Sequence, residues 1–240
     1  MINYIKKTYR GTKSEFLKEI EKNLLNDKKS FIVTANPETF MKASQNKVFD
    51  NILNSDETTI IADGIGVVKG AKILNIDIKE RIPGVEVSYA LLDFANKYNK
   101  SLYLLGASEE VIELVVEKVK KEYPNINLVG YKDGYVQDKD RVFEEILNIS
   151  PDIVLVALGV PAQELLIGKH YDKFKKGIFV GVGGTFDVMS GKVKRAPQIF
   201  IKLNLEWLYR ITSEPKRLKR FWNSNIKFMY KILKIKLFNK

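Results

Sequence analysis

Asp63 closes the apolar run TTIIAD and is followed at once by Gly64. A carboxylate at a strand end, partly out of water, can act as a general base, and the glycine leaves backbone room for a substrate. The same placement suits an Asp that caps the next helix, and position alone puts the cap ahead. The stretch FVGVGGTFDVMSGKVKRAP, residues 179–197, carries Gly181, Gly183, Gly184 and Asp187, with Arg195 in the cluster of bases that follows. Backbone N–H groups of such a loop can cradle a diphosphate, and a plain tight turn fits the spacing equally well. Neither GVGGTFD nor GIGVVKG (64–70) has dinucleotide-fingerprint spacing, and no Lys-Ser/Thr pair follows the former as a phosphate-binding P-loop requires.

Metal chemistry finds little support. The 240 residues hold no cysteine and one histidine, which excludes thiolate and His-rich metal sites and argues against a Ser-His-Asp triad. DKD (138–140) has the D-x-D form used by many metal-dependent glycosyltransferases. It stands before an amphipathic helix, where an N-cap is the better reading. His170, within LLIGKHYDKF, reads as a packing or surface residue of a helix. A chemistry without a metal cofactor is therefore expected.

The elements that must position these groups are legible as blocks. SFIVTAN (30–36), TTIIAD (58–63), SLYLLG (101–106), NLVGY (127–131), PDIVLVALG (151–159) and GIFVGVGG (177–184) are mostly continuous apolar runs, as expected of strands covered on both faces. Helical patterns fall between them at 37–54, 85–98, 108–122, 139–147 and 162–174, with Ser108 placed as an N-cap. The alternation predicts a doubly wound α/β fold, a mostly parallel sheet with helices on both faces. Ligands of such sheets bind beyond the carboxyl ends of the strands. Those ends read TAN with Thr34 and Asn36, ADG with Asp63 and Gly64, LGAS with Gly106, LGVPAQE with Gln163, and GVGGTFD.

Charge divides the chain. Residues 1–191 carry a net charge of −1, whereas 192–240 carry 14 Lys and Arg against two acids, giving the overall +11. We read 1–191 as the α/β domain and 192–240 as a basic helical appendage with a polyanionic partner. From Pro215 on, Leu218, Trp222, Ile226, Met229, Leu233 and Leu237 recur every three or four residues and share one helix face. Lys216, Arg220, Lys227, Lys231 and Lys234 gather opposite, and Lys236 and Phe238 interrupt the pattern. This is the pattern of a helix lying in the interface of an anionic membrane; docking of the apolar face on the body is the alternative. The N-terminus lacks the apolar core of a secretory signal and no run approaches a membrane span. A cytoplasmic protein, peripheral on the cytosolic membrane face, is expected.

Taken in register, VTANPE, ADGIG, ERIPG, LGVPAQE, GVGGTFDVMSGKVKRAP and LEWLYR resemble the WecG/TagA/CpsF family of glycosyltransferases, from about residue 2 to about residue 220. The resemblance implies inverting transfer of a sugar, N-acetylmannosamine in the best-known branch, from a UDP-sugar. The acceptor would be a polyprenyl-diphosphate-linked N-acetylglucosamine, in teichoic acid or surface polysaccharide synthesis. It implies Asp63 as general base, Thr34 and Asn36 as the T-x-N motif beside it, and Arg81 and Gln163 as polar lining of the same pocket. It also implies Gly183, Gly184 and Asp187 in the nucleotide loop, and Arg210 and Arg217 as appendage arginines reaching the diphosphate. Gly64, Gly106, Gly181 and Arg195 are expected beside the substrates. One departure stands out: Ala162 occupies the place where other members commonly carry a Lys before the motif Gln. A nucleic-acid-binding protein with a basic arm is the competing class, but such an arm has no need of a regular apolar face. A homo-oligomer is compatible with the sequence.

Overall fold

The computed structural model describes residues 1–203, 205–213 and 217–238, with the backbone alone for Lys202, Arg210, Ser213, Arg217 and Arg220. Six strands form one sheet: β1 (Ser30–Ala35), β2 (Thr58–Ala62), β3 (Ser101–Gly106), β4 (Asn127–Lys132), β5 (Ile153–Ala157) and β6 (Ile178–Gly181). Their order is β2-β1-β6-β5-β3-β4, and every neighbouring pair is parallel. All six expected strands are present. β1, β5 and β6 are buried along their whole length, which is why they read as unbroken apolar runs. Alternate residues serve opposite layers: Phe31, Val33 and Ala35 join one hydrophobic cluster, while Ile32 joins the other.

The expected helices appear with sharper bounds. The one expected over 37–54 is two, Pro37–Ala43 and Lys47–Asn54, because the Asn46 side chain accepts from the Phe49 N–H and starts a new helix. Ser108 does cap Glu109–Glu122. Two N-terminal helices, Ile2–Lys7 and Lys13–Leu25, were not among the expected ones. The second opens with a reciprocal capping box between Thr12 and Glu15.

The tail departs most from expectation. It runs as short helices Gln198–Lys202, Glu206–Ser213 and Arg217–Phe221, a π-helical turn Trp222–Ile226, and the helix Lys227–Phe238. This last helix docks on the body through Phe228 and Ile232, both fully buried. Neither belongs to the apolar stripe read from the sequence. Of that stripe, Met229 packs against the core, whereas Leu218, Trp222, Ile226, Leu233 and Leu237 stay exposed. The helix thus has two apolar faces, one docked and one open. The docked face rests on the helix Ile65–Ile73 at Gly70, where a Cβ would lie 2.9 Å from the Phe228 ring. Pro215, the expected joint, lies outside the described residues.

Candidate active site

A cleft of about 700 Å³ opens at the carboxyl ends of the strands. Thr34 and Asn36 line it from the end of β1, Asp63 and Gly64 from β2, Ala107 from β3, Ala157 and Gly159 from β5, and Val182 to Thr185 from β6. The tail supplies a further wall with Glu206, Trp207, Ile211, Phe221, Ser224, Asn225, Ile226 and Met229. The cleft is therefore bounded by residues from both sides of the charge boundary at Gly191.

Asp63 does not cap the helix that follows it. Gly64 is the N-cap of Ile65–Ile73 and that end has no side-chain cap. Instead Asp63 Oδ1 accepts the N–H of Gly84 at 2.8 Å. Gly84 is the first residue of the helix Gly84–Lys97, whose own N-cap, Pro83, offers no side-chain acceptor. The carboxylate is thus oriented by a helix start distant in sequence, while Asp63 itself lines the cleft. The T-x-N pair beside it frames this arrangement. Thr34 Oγ1 donates to the Gly181 carbonyl at 2.7 Å, and its methyl group sits where a Cβ on Gly84 would come within 2.8 Å. Asn36 Oδ1 accepts from Glu38 and Thr39 N–H and starts the helix Pro37–Ala43.

Gln163 joins two loops. Its Oε1 accepts from Gly159 N–H at 3.1 Å and from Gly183 N–H at 3.0 Å, and its Nε2 donates to Glu164 Oε1 at 2.8 Å. The Gly183 N–H is therefore engaged by protein. Gly181 packs against the same amide, since a Cβ there would lie 2.6 Å from Gln163 Nε2. Glu164 is fully buried, and burial pushes its carboxyl up to about 7. Its Oε2 meets no hydrogen-bond partner among the described residues.

The family model described as "Glycosyl transferase WecG/TagA/CpsF family" matches residues 5–240. The chain belongs to this glycosyltransferase family. It is 43% identical over 208 residues to an N-acetylglucosaminyldiphosphoundecaprenol N-acetyl-beta-D-mannosaminyltransferase of Bacillus subtilis, covering 86% of this chain and 81% of the relative. It is 42% identical to the protein of that name in Bacillus spizizenii, with 86% and 80% coverage. For the one in Staphylococcus aureus the identity is 40% over 207 residues, with 86% and 80% coverage.

In this WecG/TagA/CpsF-family chain the structure brings Thr34, Asn36, Asp63, Gly64, Arg81, Gln163, Gly183, Gly184 and Asp187 to one cleft. Three expected residues do not line it. Gly106, at φ +125°, serves a close backbone approach, because a Cβ would lie 2.4 Å from the Ala157 carbonyl oxygen. Gly181 is held behind Gln163. Arg195 bonds Glu86 at 2.6 Å, and Lys13 bonds the same carboxylate at 2.6 Å. Burial would raise the Glu86 carboxyl, but these two cations hold it below the usual range. The side chains of Arg210 and Arg217 lie outside the described residues. Arg81 pairs with Glu206 of the tail at 3.3 Å, tying body to tail at the cleft wall. Asn225 and Lys69 are lining residues that the motifs did not mark, and Glu206 lies within the LEWLYR motif without having been singled out. The DKD motif is structural: Asp138 caps Lys139–Ile149, and Asp140 binds Lys169 and the buried His170, which stacks on Phe143. Among the described residues no three His, Cys, Asp or Glu side chains are grouped to hold a metal, and no helix is long and apolar enough to cross a membrane.

Proposed function

We propose that this enzyme transfers N-acetylmannosamine from a UDP donor to a polyprenyl-diphosphate-linked N-acetylglucosamine, with inversion and without a metal. The observation that carries the reading is Asp63, oriented by the Gly84 N–H in a cleft shared by body and tail. Asp63 takes the proton of an acceptor hydroxyl. The resulting oxygen attacks the anomeric carbon from the side opposite the leaving group. The carbon–oxygen bond to UDP breaks, and the diphosphate departs with the bonding pair. The names and coverage of the relatives support the sugar and the acceptor.

The open apolar face of the tail supports work at a membrane. Ile226, Leu233 and Leu237 are exposed along one side of the terminal helical segment, with Lys227, Lys231 and Lys234 on a flank. Such a helix buries its apolar side at the headgroup boundary, and each cation adds about 1 kcal/mol near anionic lipid. The substrate test is a panel of UDP-sugars with a short-chain prenyl-diphospho-N-acetylglucosamine, and the anomeric configuration of the product is read by NMR. Transfer from UDP-N-acetylmannosamine with inversion is expected; transfer from no UDP-sugar overturns the reading. The membrane test is L233E/L237E, which should lower co-sedimentation with anionic vesicles at least tenfold while sparing turnover of the short-chain acceptor. Retention of the wild-type protein on duplex DNA but not on vesicles would favour the nucleic-acid class instead.

A further inference from the structure

The helix Ala162–His170 begins with two neighbouring side chains bonded to each other. Gln163 Nε2 donates to Glu164 Oε1 at 2.8 Å, and both residues are buried. Successive helix positions point about 100° apart, so helical geometry alone does not bring such a pair together.

Glu164 does not serve its own helix start. It is the third helical residue, where a Glu closes a capping box by accepting the N–H of the N-cap residue. Here the N-cap is Pro161, which has no N–H to give. The carboxyl is not paired with a base either. The cation acting on it is Lys42, whose ammonium bonds Glu38 at 2.9 Å and the Val160 carbonyl at 2.7 Å. A buried acid that neither caps its helix nor pairs with a base among the described residues costs the fold stability. The bond to Gln163 is the one side-chain contact it makes there.

That bond sets the direction of an amide. The two ends of the Gln163 amide are nearly alike in shape and opposite in hydrogen bonding. As it stands, Oε1 accepts from Gly159 and Gly183 N–H. Reversed, the NH₂ group would confront both N–H groups. Gln163 is only 1% exposed, so water cannot repair the mismatch. An acceptor on the nitrogen side favours the first orientation, and Glu164 Oε1 supplies it. The far end of this relay reaches the cleft: Gly183, at φ +51°, turns the chain after β6 and lines the cleft with Gly184 and Thr185.

We propose that Glu164 is a positioning residue for the donor subsite, selecting the orientation of the Gln163 amide and thereby holding the Gly183 turn in the shape that receives the donor's nucleoside diphosphate. The donor as ligand rests on the proposed function; the orientation of the amide rests on the bonds alone.

Three variants separate reach from acidity. E164Q keeps an oxygen at the same reach without the acid, E164D keeps the acid but withdraws it by one methylene, and E164M removes the acceptor. E164M and E164D should weaken UDP binding in calorimetry and raise donor KM about tenfold, with acceptor KM within about twofold and E164Q close to wild type. By NMR the Gly183 backbone amide should shift and lose exchange protection in E164M and E164D but not in E164Q. In a Q163A background E164M should add no further loss of UDP affinity, because its effect passes through that amide. A full additional loss in that background would overturn the proposal. So would equal damage to donor and acceptor KM, or an E164Q as impaired as E164M. If E164M does not fold, E164D and the Gly183 amide decide. No UDP binding by the wild type, with the Gly183 response still following reach, would sink the proposed donor but leave the amide relay standing.

Discussion

The body and the tail solve the same packing problem in different ways. At the strand ends three polar side chains near the cleft are held by partners distant in sequence or by more than one loop: Asp63 by Gly84, Thr34 by Gly181, Gln163 by two loops and Glu164. The tail helix Lys227–Phe238 is held mainly by Phe228 and Ile232 in a glycine notch, and its other apolar side faces outward. Rigidity suits residues that must meet a reacting atom within tenths of an ångström. A single docked stripe leaves the other side of the helix exposed, as the proposed membrane contact requires.

The sharpest way to break this contrast is at Asp63. Asp63→Asn retains an oxygen for the Gly84 N–H but removes the proposed base. Turnover should fall by about 10²–10⁴, with UDP affinity and melting temperature preserved; near-normal turnover would remove Asp63 from the role. The matching change in the tail is Phe228→Ala. Emptying a fully buried phenyl site costs about 3–5 kcal/mol. Since one stripe holds the helix, the loss should appear as undocking. Limited proteolysis should cut before residue 227, and turnover of a soluble acceptor should drop while the remaining body keeps its cooperative melt. Equal destabilisation of body and tail would contradict the separation.

Glu164 offers a smaller, pH-resolved effect. Its carboxyl is raised to about 7 by burial, well above its value in the unfolded chain. Below about pH 4.5 it is protonated in both states and costs nothing. As pH rises toward 7 the unfolded chain releases the proton first, so the native state loses stability, by about 3 kcal/mol in full. Denaturant titrations of wild type and Glu164→Gln should therefore diverge between pH 5 and 8, with the wild type losing ground. A constant difference across that range would count against a buried proton. The smallest expected effect is that of EDTA, which should leave turnover within twofold. Loss of activity restored by Mg²⁺ or Mn²⁺ would show that the cleft holds an ion.

How much of this was legible in the sequence follows the same division. Strands buried on both faces must be apolar throughout, so β1, β5 and β6 stand out as runs, while β4, which buries no residue fully, shows a weaker one; the rule that ligands sit at the carboxyl ends of strands led to Asp63, Gly64, Gly183 and Asp187. The partners of those residues were not legible. Gly84 reaches Asp63 across 21 positions and Gly183 reaches Gln163 across 20, by contacts that only the folded sheet creates. Arg195 reads as part of the glycine stretch, yet the chain turns away and Glu86 captures it. The tail's periodicity was visible, but it contains two apolar stripes. Which one docks is decided by Gly70, more than 150 residues earlier, because only a residue without a Cβ admits the Phe228 ring. The Thr12–Glu15 capping box is a readable signal for the helix Lys13–Leu25.

The bond pattern at Gln163 has a consequence for isotope exchange. The amide hydrogens of Gly159 and Gly183 come from loops after neighbouring strands and end on one side-chain oxygen beside an open cleft. Neither loop can lift from that oxygen without changing the bond left to the other. In deuterated water the two amides should therefore be slow for rim positions and should exchange with a common opening rate, like two pages held by one pin. Gln163→Ala would turn them into independent, fast-exchanging sites while the amides within β5 and β6 keep their protection.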